Sequence, residues 1–220
     1  MKMAPISRQA ILDRIRKATG GGAPDVAGSY AGLHRDYVRA GKLGAEERIA
    51  LMIERLREYD AEVVETAPDS LAEATQGQLA ASGRRRFVAP AGLPAEWLAE
   101  GFEWQIDRGL STVEIEQAEG VVTAAFCGIA DSGTIVLHHS AAEGRRIISL
   151  LPDWHLCVLR ASQVVETLPE YFARCSEAPV LATYISGPSA TADIEMTRIK
   201  GVHGPRFLHV IVVRDDVTAR

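Results

Sequence analysis

Apolar residues follow a helical period at the start of the main body of the chain. Residues 44–59 carry their apolar side chains on one face of a helix and charged side chains on the other. The apolar face consists of Ile49, Met52, Ile53 and Leu56. Strand and helix patterns then alternate, with strands at 61–66, 86–89 and 102–106 and helices at 69–81 and 93–100. This alternation predicts a doubly wound α/β fold.

Short apolar runs continue through the second half of the chain. They lie at residues 121–125, 134–137, 154–159, 179–186 and 207–213. Runs of this length that are rich in β-branched residues are typical of buried strands. A helix is predicted at residues 162–175, and we expect Pro169 to kink or interrupt it. Its inward-facing residues are expected to be Val165, Leu168 and Phe172.

The segment between the last two apolar runs is polar. Parallel strands need a connection across one face of the sheet, whereas antiparallel strands can be joined by a tight turn. We therefore expect residues 179–186 and 207–213 to be parallel strands of one sheet, joined through a short helix. The helical pattern is carried by Ile194, Met196 and Ile199. The predicted fold class is α/β, with an open, mostly parallel sheet flanked by helices.

The first 43 residues have a different character. A helix is predicted within residues 1–17, and residues 19–24 (TGGGAP) are interpreted as a flexible linker. A phosphate-binding loop would need a preceding strand and a following Lys-Ser or Lys-Thr, and neither is present. We expect residues 1–43 to form an N-terminal helical arm and residues 44–220 to form the α/β domain. Such an arm suits docking, so we expect a complex or a homo-oligomer.

Charge and cysteine content exclude several classes of protein. A formal net charge of -5 argues against a nucleic-acid surface, and no apolar run has the form of a signal peptide or of a membrane span. Cys127, Cys157 and Cys175 are dispersed and fit a reducing compartment, so we expect a cytoplasmic protein. Without a C-x-x-C pair the chain offers no ligand set for an iron–sulfur cluster, and no cofactor is assigned to it.

Residues 186–193 (SGPSATAD) combine a glycine with three hydroxyl side chains directly after a predicted strand. Backbone N–H groups and hydroxyls in such a turn suit a phosphate or a carboxylate. The candidate anion-binding residues are Ser186, Gly187, Ser189 and Thr191. The alternative is that Thr191 only caps the helix that follows. Because ligand crevices in open α/β sheets lie at the carboxyl ends of strands, we expect this turn at a crevice mouth.

A second hydroxyl-rich turn lies at residues 131–134 (DSGT), between two apolar runs. Ser132, Gly133 and Thr134 would face the first turn across the crevice and add to the anion site. The structural alternative is a simple hairpin turn, because Asp, Ser and Gly are all favoured in turns. Both alternatives stay open on sequence alone.

Two side chains near these turns are candidates for moving a proton. His203 lies between Gly201 and Gly204, in the kind of loop that often carries function, although it could equally only fix that loop. Asp193 is preferred over Glu195 because it is nearer the start of the predicted helix. The candidate catalytic residues are therefore His203 and Asp193.

A metal site is not predicted. Asp153 and His155 could share one face of a strand, with His203 as a third ligand, but no ligand motif supports this grouping. His138 and His139 are adjacent and would point to opposite faces of a strand.

Four stretches of the chain together resemble the LUD-domain family. In order they are GIADSGTIVL, RRIISLLPDWHLCVL, YISGPSATADIE and KGVHGPRFLHVIVV. The resemblance covers roughly residues 46–213. It implies the fold of the group that contains ribose-5-phosphate isomerase, the CoA-transferases and 5-formyltetrahydrofolate cyclo-ligase.

The resemblance also implies a role in L-lactate utilisation. Family members of this type take part in oxidising L-lactate to pyruvate with two partner proteins, the A and B components, which carry iron–sulfur clusters. This chain would then be the cluster-free subunit, with a small carboxylate held by the hydroxyls and a proton handled by His203 or Asp193. Two alternatives stay open. One is a free-standing isomerase, transferase or ligase for a phosphorylated or CoA-linked small molecule, and the other is a non-catalytic scaffold.

Overall fold

The computed structural model describes residues 8–20, 26–34, 36–192, 198–200 and 204–215. The chain divides into two compact units, Met1–Tyr37 and Val38–Arg220. The first unit contains α1 (Arg8–Ala18) and α2 (Val26–Ala31), and the apolar side chains of Ile11 and Ile15 on α1 are exposed. The domain boundary between residues 43 and 44 stays a prediction, because compactness alone does not show which segment folds by itself.

The second unit contains the remaining helices and the strands. Its helices are α3 (Ala45–Glu58), α4 (Leu71–Ala81), α5 (Thr112–Glu116) and α6 (Leu168–Arg174). Its strands are β1 (Glu62–Thr66), β2 (Arg86–Pro90), β3 (Glu103–Asp107), β4 (Gly120–Ala124), β5 (Cys127–Ile129), β6 (Thr134–Leu137), β7 (Trp154–Arg160), β8 (Val164–Val165), β9 (Thr183–Ile185), β10 (Ala190–Ala192), β11 (Arg198–Lys200) and β12 (Phe207–Val213). In the part of the chain that the structure describes, no helix has the length and apolar character needed to cross a bilayer.

Six strands form the main sheet in the order β1-β12-β7-β4-β2-β3, and every neighbouring pair is parallel. At its centre β12 and β7 pair continuously from Phe207↔Trp154 to Val213↔Arg160. These two strands are buried along nearly their whole length, as expected for parallel strands covered on both faces. The predicted fold class, an open and mostly parallel α/β sheet flanked by helices, is confirmed.

Helices α3 and α4 belong to two separate hydrophobic cores. Met52 and Leu56 of α3 are fully buried in a core that includes Val210 of β12. Leu79 of α4 is buried in a core that includes Ile211, the next residue of β12. Neighbouring strand residues point to opposite faces, so the two cores lie on opposite sides of the sheet. Each fully buried Leu or Met side chain contributes about 1.5–3 kcal/mol to the stability of the fold.

The strand predicted at residues 179–186 does not join the main sheet, so its predicted parallel pairing with residues 207–213 is wrong. Only β9 forms there, in a second sheet of order β8-β5-β6-β9, where it runs antiparallel to β6. Thr183 is buried, Tyr184 is exposed and Ile185 is half-buried. That alternation is typical of an edge strand with one solvated face, and not of a strand buried on both faces.

The prediction of a short helix after residue 191 is also wrong for the two ends of that segment, which the structure describes as strands. β10 and β11 form an antiparallel pair in which Thr191 lies opposite Ile199. Thr191 therefore belongs to a strand and does not cap a helix. The remaining residues of the predicted helix, 193–197, lie outside the described part of the chain.

The helix predicted at residues 162–175 is shorter than expected. Val165 belongs to β8, and α6 begins only at Leu168. Pro169 therefore lies in the first turn, where a missing N–H breaks no helical hydrogen bond, and it neither kinks nor interrupts the helix. Leu168 and Phe172, which were expected to face inward, are exposed.

Candidate functional site

The two hydroxyl-rich turns meet through a chain of hydrogen bonds. The Oγ1 atom of Thr134 lies 2.7 Å from the Oγ atom of Ser132 and 2.7 Å from the Oγ atom of Ser186. Thr134 is buried, whereas Ser132 and Ser186 are exposed. The turn at residues 131–134 also connects the antiparallel strands β5 and β6, so it is a hairpin turn and part of this polar cluster at once.

The last turns of α3 support both glycines of the cluster. Gly133 (φ 59°) and Gly187 (φ 86°) adopt left-handed backbone conformations that favour glycine. A Cβ atom at Gly133 would lie 2.6 Å from the Cβ of Arg55, and one at Gly187 would lie 2.5 Å from the Cβ of Tyr59. Both positions therefore require glycine for conformation and for space, and α3 fixes the separation of the two turns.

A cavity of about 240 Å³ lies beside the Ser186 turn. Its polar lining residues are Arg146, Ser149, His155, Thr183, Tyr184, Ser186 and Ser189. His155 and Leu208, the second residues of β7 and β12, also line it. The cavity therefore lies at the carboxyl end of β9, which belongs to the second sheet, and beside the amino ends of β7 and β12 of the main sheet. That a crevice at strand carboxyl ends binds an anion stays a prediction.

Arg146 brings a positive charge to this cavity. Its Nη1 atom donates a hydrogen bond to Ser149 Oγ at 3.4 Å, and burial lowers the pKa of Arg146 from its usual value. The guanidinium stays charged at neutral pH even so. Among the described residues, no carboxylate forms an ion pair with it. A partly buried guanidinium of this kind is a strong site for an anion.

His155 is almost completely buried and lines the same cavity. Its Nε2 atom lies 2.8 Å from Thr123 Oγ1. Burial, and secondarily the nearby charge of Arg146, lowers the pKa of His155 from 6.5 to about 4. The imidazole is therefore neutral at pH 7 and offers one donor and one acceptor.

His139 holds one wall of the cavity in place. Its Nδ1 atom lies 2.8 Å from the carbonyl oxygen of Gly144, and its Nε2 atom lies 2.8 Å from Thr183 Oγ1. A carbonyl oxygen only accepts, so Nδ1 carries a proton, and in the neutral ring Nε2 then accepts from the Thr183 hydroxyl. His139 has a positive φ of 59°, which is uncommon for a non-glycine residue. Its two ring contacts support this backbone conformation.

Comparison with known proteins identifies the family. Residues 45–213 match the LUD domain. The chain belongs to the LUD domain family. It is 39% identical to the lactate utilization protein C of Deinococcus radiodurans over 193 residues, which covers 86% of this chain and 90% of that protein. It is 30% identical to the lactate utilization protein C of Bacillus licheniformis, covering 93% of this chain and 92% of that protein.

The same comparisons extend to a shorter match and to a solved structure. The protein YkgG of Escherichia coli is 38% identical over 120 residues, which covers 51% of this chain and 52% of that protein. A crystal structure of a DUF162 family protein from Deinococcus radiodurans superimposes with a TM-score of 0.63 at 32% identity, covering 79% of this chain and all of that one. The family resemblance seen in the four sequence stretches is confirmed.

The structure of this LUD domain separates the predicted site residues into three groups. Ser186, Gly187 and Ser189 line the cavity, and the backbone N–H of Ser189 donates to the carbonyl oxygen of Pro205 at 2.8 Å. The second group, Ser132, Gly133 and Thr134, lies outside the lining and joins it through the Thr134–Ser186 hydrogen bond. Thr191 lies in β10. Asp193 and His203 lie outside the described residues, and their catalytic roles stay predictions.

Sequence reasoning did not assign five polar lining residues of this LUD domain to the anion site, namely Arg146, Ser149, His155, Thr183 and Tyr184. The pair Arg145-Arg146 was the one feature that could have drawn attention to this segment. Arg145 binds Asp107 through two hydrogen bonds of 2.6 and 2.8 Å and holds the pKa of that carboxyl below its usual value. Of the two arginines, Arg146 is therefore the one that lines the cavity. The sequence alone does not indicate which of them does so.

The grouping of Asp153, His155 and His203 as a metal site receives no support from the residues that are described. The carboxylate of Asp153 accepts hydrogen bonds from Arg206, one at 2.9 Å, and lies 3.5 Å from Arg84. The guanidinium of Arg206 lowers the pKa of Asp153 and neutralises its charge. Within the described ranges, no three His, Cys, Asp or Glu side chains are grouped as a metal site requires.

Replacing Thr134 by valine is expected to loosen the contact between the two turns. Valine keeps the shape but leaves Ser132 and Ser186 without their shared partner. Because both serines are exposed and can bind water, we expect a modest loss of about 1 kcal/mol, measured by urea denaturation. Ser132→Ala is the control, since it removes only the outer bond and keeps the Thr134–Ser186 link. Equal stability of Thr134→Val and the wild type would contradict a structural role for the hydroxyl chain.

Proposed function

We propose that this chain is the cluster-free component of an L-lactate utilisation system and that its cavity binds the carboxylate of lactate or pyruvate. The proposal is supported by the relatives named lactate utilization protein C, which the chain matches over about nine tenths of their length. Their name gives the metabolic context. The cavity gives the chemistry that this chain can contribute.

The observation that carries the proposal is the position of Arg146. Its guanidinium enters a cavity that also presents the hydroxyls of Ser149, Ser186 and Ser189. A guanidinium pairs with a carboxylate through two parallel hydrogen bonds, and hydroxyls can donate to the same oxygens. A small carboxylate would therefore pair with the guanidinium, and Ser186 can donate to the same anion when its oxygen accepts from Thr134. Ser149 donates its proton to the carbonyl oxygen of Arg146 at 3.1 Å and helps to hold that residue in place.

The size of the cavity favours a small ligand over the alternative substrates. Pockets for drug-sized molecules measure roughly 300–1,000 Å³, whereas this cavity measures about 240 Å³. A three-carbon acid suits that volume better than a CoA ester does. This favours lactate or pyruvate over the CoA-linked substrates of the rival enzyme hypothesis.

Electron transfer is assigned to other proteins in this proposal. Iron–sulfur clusters are bound by cysteine thiolates. Burial raises the pKa of Cys127 and of Cys157 to about 12, so both are neutral thiols at pH 7. We assign the clusters to the iron–sulfur partner proteins, the A and B components. The free thiols of Cys127, Cys157 and Cys175 fit a reducing compartment, and we assign the system to the cytoplasm.

The decisive test compares two neighbouring arginines. In Arg146→Gln we expect lactate and pyruvate to bind at least about thirtyfold more weakly, as the loss of about 2 kcal/mol from a buried charge pair implies. Arg145→Gln removes the same charge from the adjacent position, but Arg145 binds Asp107 and does not line the cavity. Circular dichroism first confirms that both variants are folded at 15 °C. Isothermal titration calorimetry at that temperature then measures the difference in their affinities for lactate and pyruvate.

Three outcomes would count against the proposal. Equal affinities of the Arg146→Gln and Arg145→Gln variants would remove Arg146 from the site. Binding of CoA or a sugar phosphate, with no binding of lactate or pyruvate, would favour the rival enzyme. Full growth on lactate of a strain that carries Arg146→Gln, in an otherwise intact system, would favour the scaffold.

A further inference from the structure

His155 lines the cavity, but it has no role in the binding of a carboxylate by Arg146. The ring nitrogen Nε2 lies against Thr123 Oγ1, at 2.8 Å, and Thr123 is fully buried outside the cavity lining. The other ring nitrogen, Nδ1, is then the polar atom of His155 that remains for a ligand. Whether Nδ1 donates or accepts depends on which nitrogen carries the proton.

A buried chain of three groups favours one position of that proton. The Cys157 thiol donates to the carbonyl oxygen of Ala124, with Sγ and O 3.8 Å apart. The Thr123 hydroxyl in turn donates to Cys157 Sγ, also at 3.8 Å. A hydroxyl has a single proton, so Thr123 Oγ1 is left to accept from His155 Nε2–H. The carbonyl at the end of the chain can only accept, so in this arrangement each donor points one way and the lone pair of His155 is on Nδ1.

We infer that Nδ1 of His155 accepts a hydrogen bond from the α-hydroxyl of the bound acid, so that the cavity selects 2-hydroxy carboxylates over 2-oxo carboxylates. This inference rests on the proposed function, because Arg146 must first hold the carboxylate. A 2-oxo acid would place a carbonyl oxygen against Nδ1, and two acceptors cannot form a hydrogen bond. An acid without an α-substituent would offer Nδ1 no hydrogen-bond donor.

The electrostatic surroundings of His155 support the acceptor role. The burial of the ring, and secondarily the guanidinium of Arg146, disfavours the imidazolium, which would have two donors and no acceptor. Cys157, which lies on the same face of β7, has a pKa raised to about 12 by burial and adds no charge at neutral pH. The ring therefore keeps its lone pair at the pH of the cell.

The first test measures the proton position directly and needs no ligand. In protein labelled with ¹⁵N-histidine, long-range ¹H–¹⁵N correlation spectra distinguish an Nε2–H ring from an Nδ1–H ring. The chain has six histidines, and the signal that disappears in His155→Phe belongs to His155. We expect the Nε2–H pattern, and we expect Thr123→Val to lose it while Thr123→Ser keeps it. An Nδ1–H pattern in the wild type would overturn the inference.

The second test measures selectivity with L-lactate, pyruvate and propionate. We expect L-lactate to bind at least about tenfold more tightly than the other two acids. His155→Phe should abolish the difference between L-lactate and pyruvate, and Thr123→Ser should keep the wild-type ratio. Equal binding of all three acids to the wild type, still abolished in Arg146→Gln, would overturn the hydroxyl contact alone. Binding of none of them would overturn the proposed function together with it.

Discussion

Replacing Gly187 by alanine is expected to destabilise the LUD domain by about 2–5 kcal/mol. The backbone of Gly187 has a φ of 86°, a conformation that costs a residue with a Cβ atom roughly 1–2 kcal/mol. The added Cβ would also lie 2.5 Å from the Cβ of Tyr59 and 3.1 Å from its carbonyl oxygen. Displacing well-packed neighbours costs about a further 1–3 kcal/mol. Urea denaturation of the wild type and the variant measures the sum.

Gly101→Ala is a matched control for this substitution. Gly101 has almost the same φ, 87°, but nothing lies within 4 Å of the place where its Cβ would be. We expect this variant to lose only the conformational part, about 1–2 kcal/mol. The difference between the two variants then isolates the contact with Tyr59, the residue that follows α3. Equal losses would mean that Tyr59 does not support the turn.

The same substitution should reach the ligand site. Gly187 lines the cavity between Ser186 and Ser189, and a shift of the turn away from Tyr59 displaces both serines. We therefore expect Gly187→Ala to bind lactate and pyruvate more weakly even where it is fully folded. Gly101 lies far along the chain in a turn that does not line the cavity, so its variant should bind normally.

The sequence was informative wherever burial decides the local structure. The runs around Val122, Leu156 and Val210 are apolar because parallel strands are covered on both faces, and each was predicted as a strand. The stripe of Met52 and Leu56 on α3 follows the helical period for the same reason. The elements of the main sheet could therefore be derived from the sequence, and its parallel character followed from the alternation of strands and helices.

Sheet membership was harder to derive than strand position. The segment that contains Thr183 and Tyr184 is apolar enough to resemble a central strand, yet it pairs with β6 at the edge of a second sheet. Likewise, the apolar residues Val165 and Leu168 are compatible with one helix but are divided between β8 and α6. In both cases the partner that fixes the structure is distant in sequence, and local pattern does not identify it.

The residues of the candidate site also differ in whether local sequence is enough to identify them. Ser186, Gly187 and Ser189 could be found because glycines and hydroxyls in one turn are a local feature. Arg146 and His155 could not, since their roles depend on contacts with other segments. Arg146 is distinguished from Arg145 only by the Asp107 that Arg145 binds. His155 was considered as a metal ligand, and only its contact with Thr123 indicates a different role.

Lowering the pH from 6.5 to 4 is expected to remove about 3 kcal/mol of stability through His155 alone. An unfolded histidine titrates near 6.5, whereas burial and the charge of Arg146 lower the pKa of His155 in the fold to about 4. Between these values the unfolded chain binds more protons, so the free energy of unfolding falls as the pH falls. Each pKa unit corresponds to about 1.4 kcal/mol, and the effect of His155 fades within about one pH unit above 6.5.

His155→Phe should therefore have a shallower pH dependence than the wild type across this window, measured by urea denaturation at half-unit steps. A residual slope is expected from His138 and His209, whose pKa values burial also lowers. The paired carboxylates Asp107 and Asp153 have lowered pKa values and lose their contribution only at more acidic pH. Parallel curves for His155→Phe and the wild type between pH 6.5 and 4 would show that His155 is not held neutral in the cavity, and would remove the electrostatic support for its acceptor role.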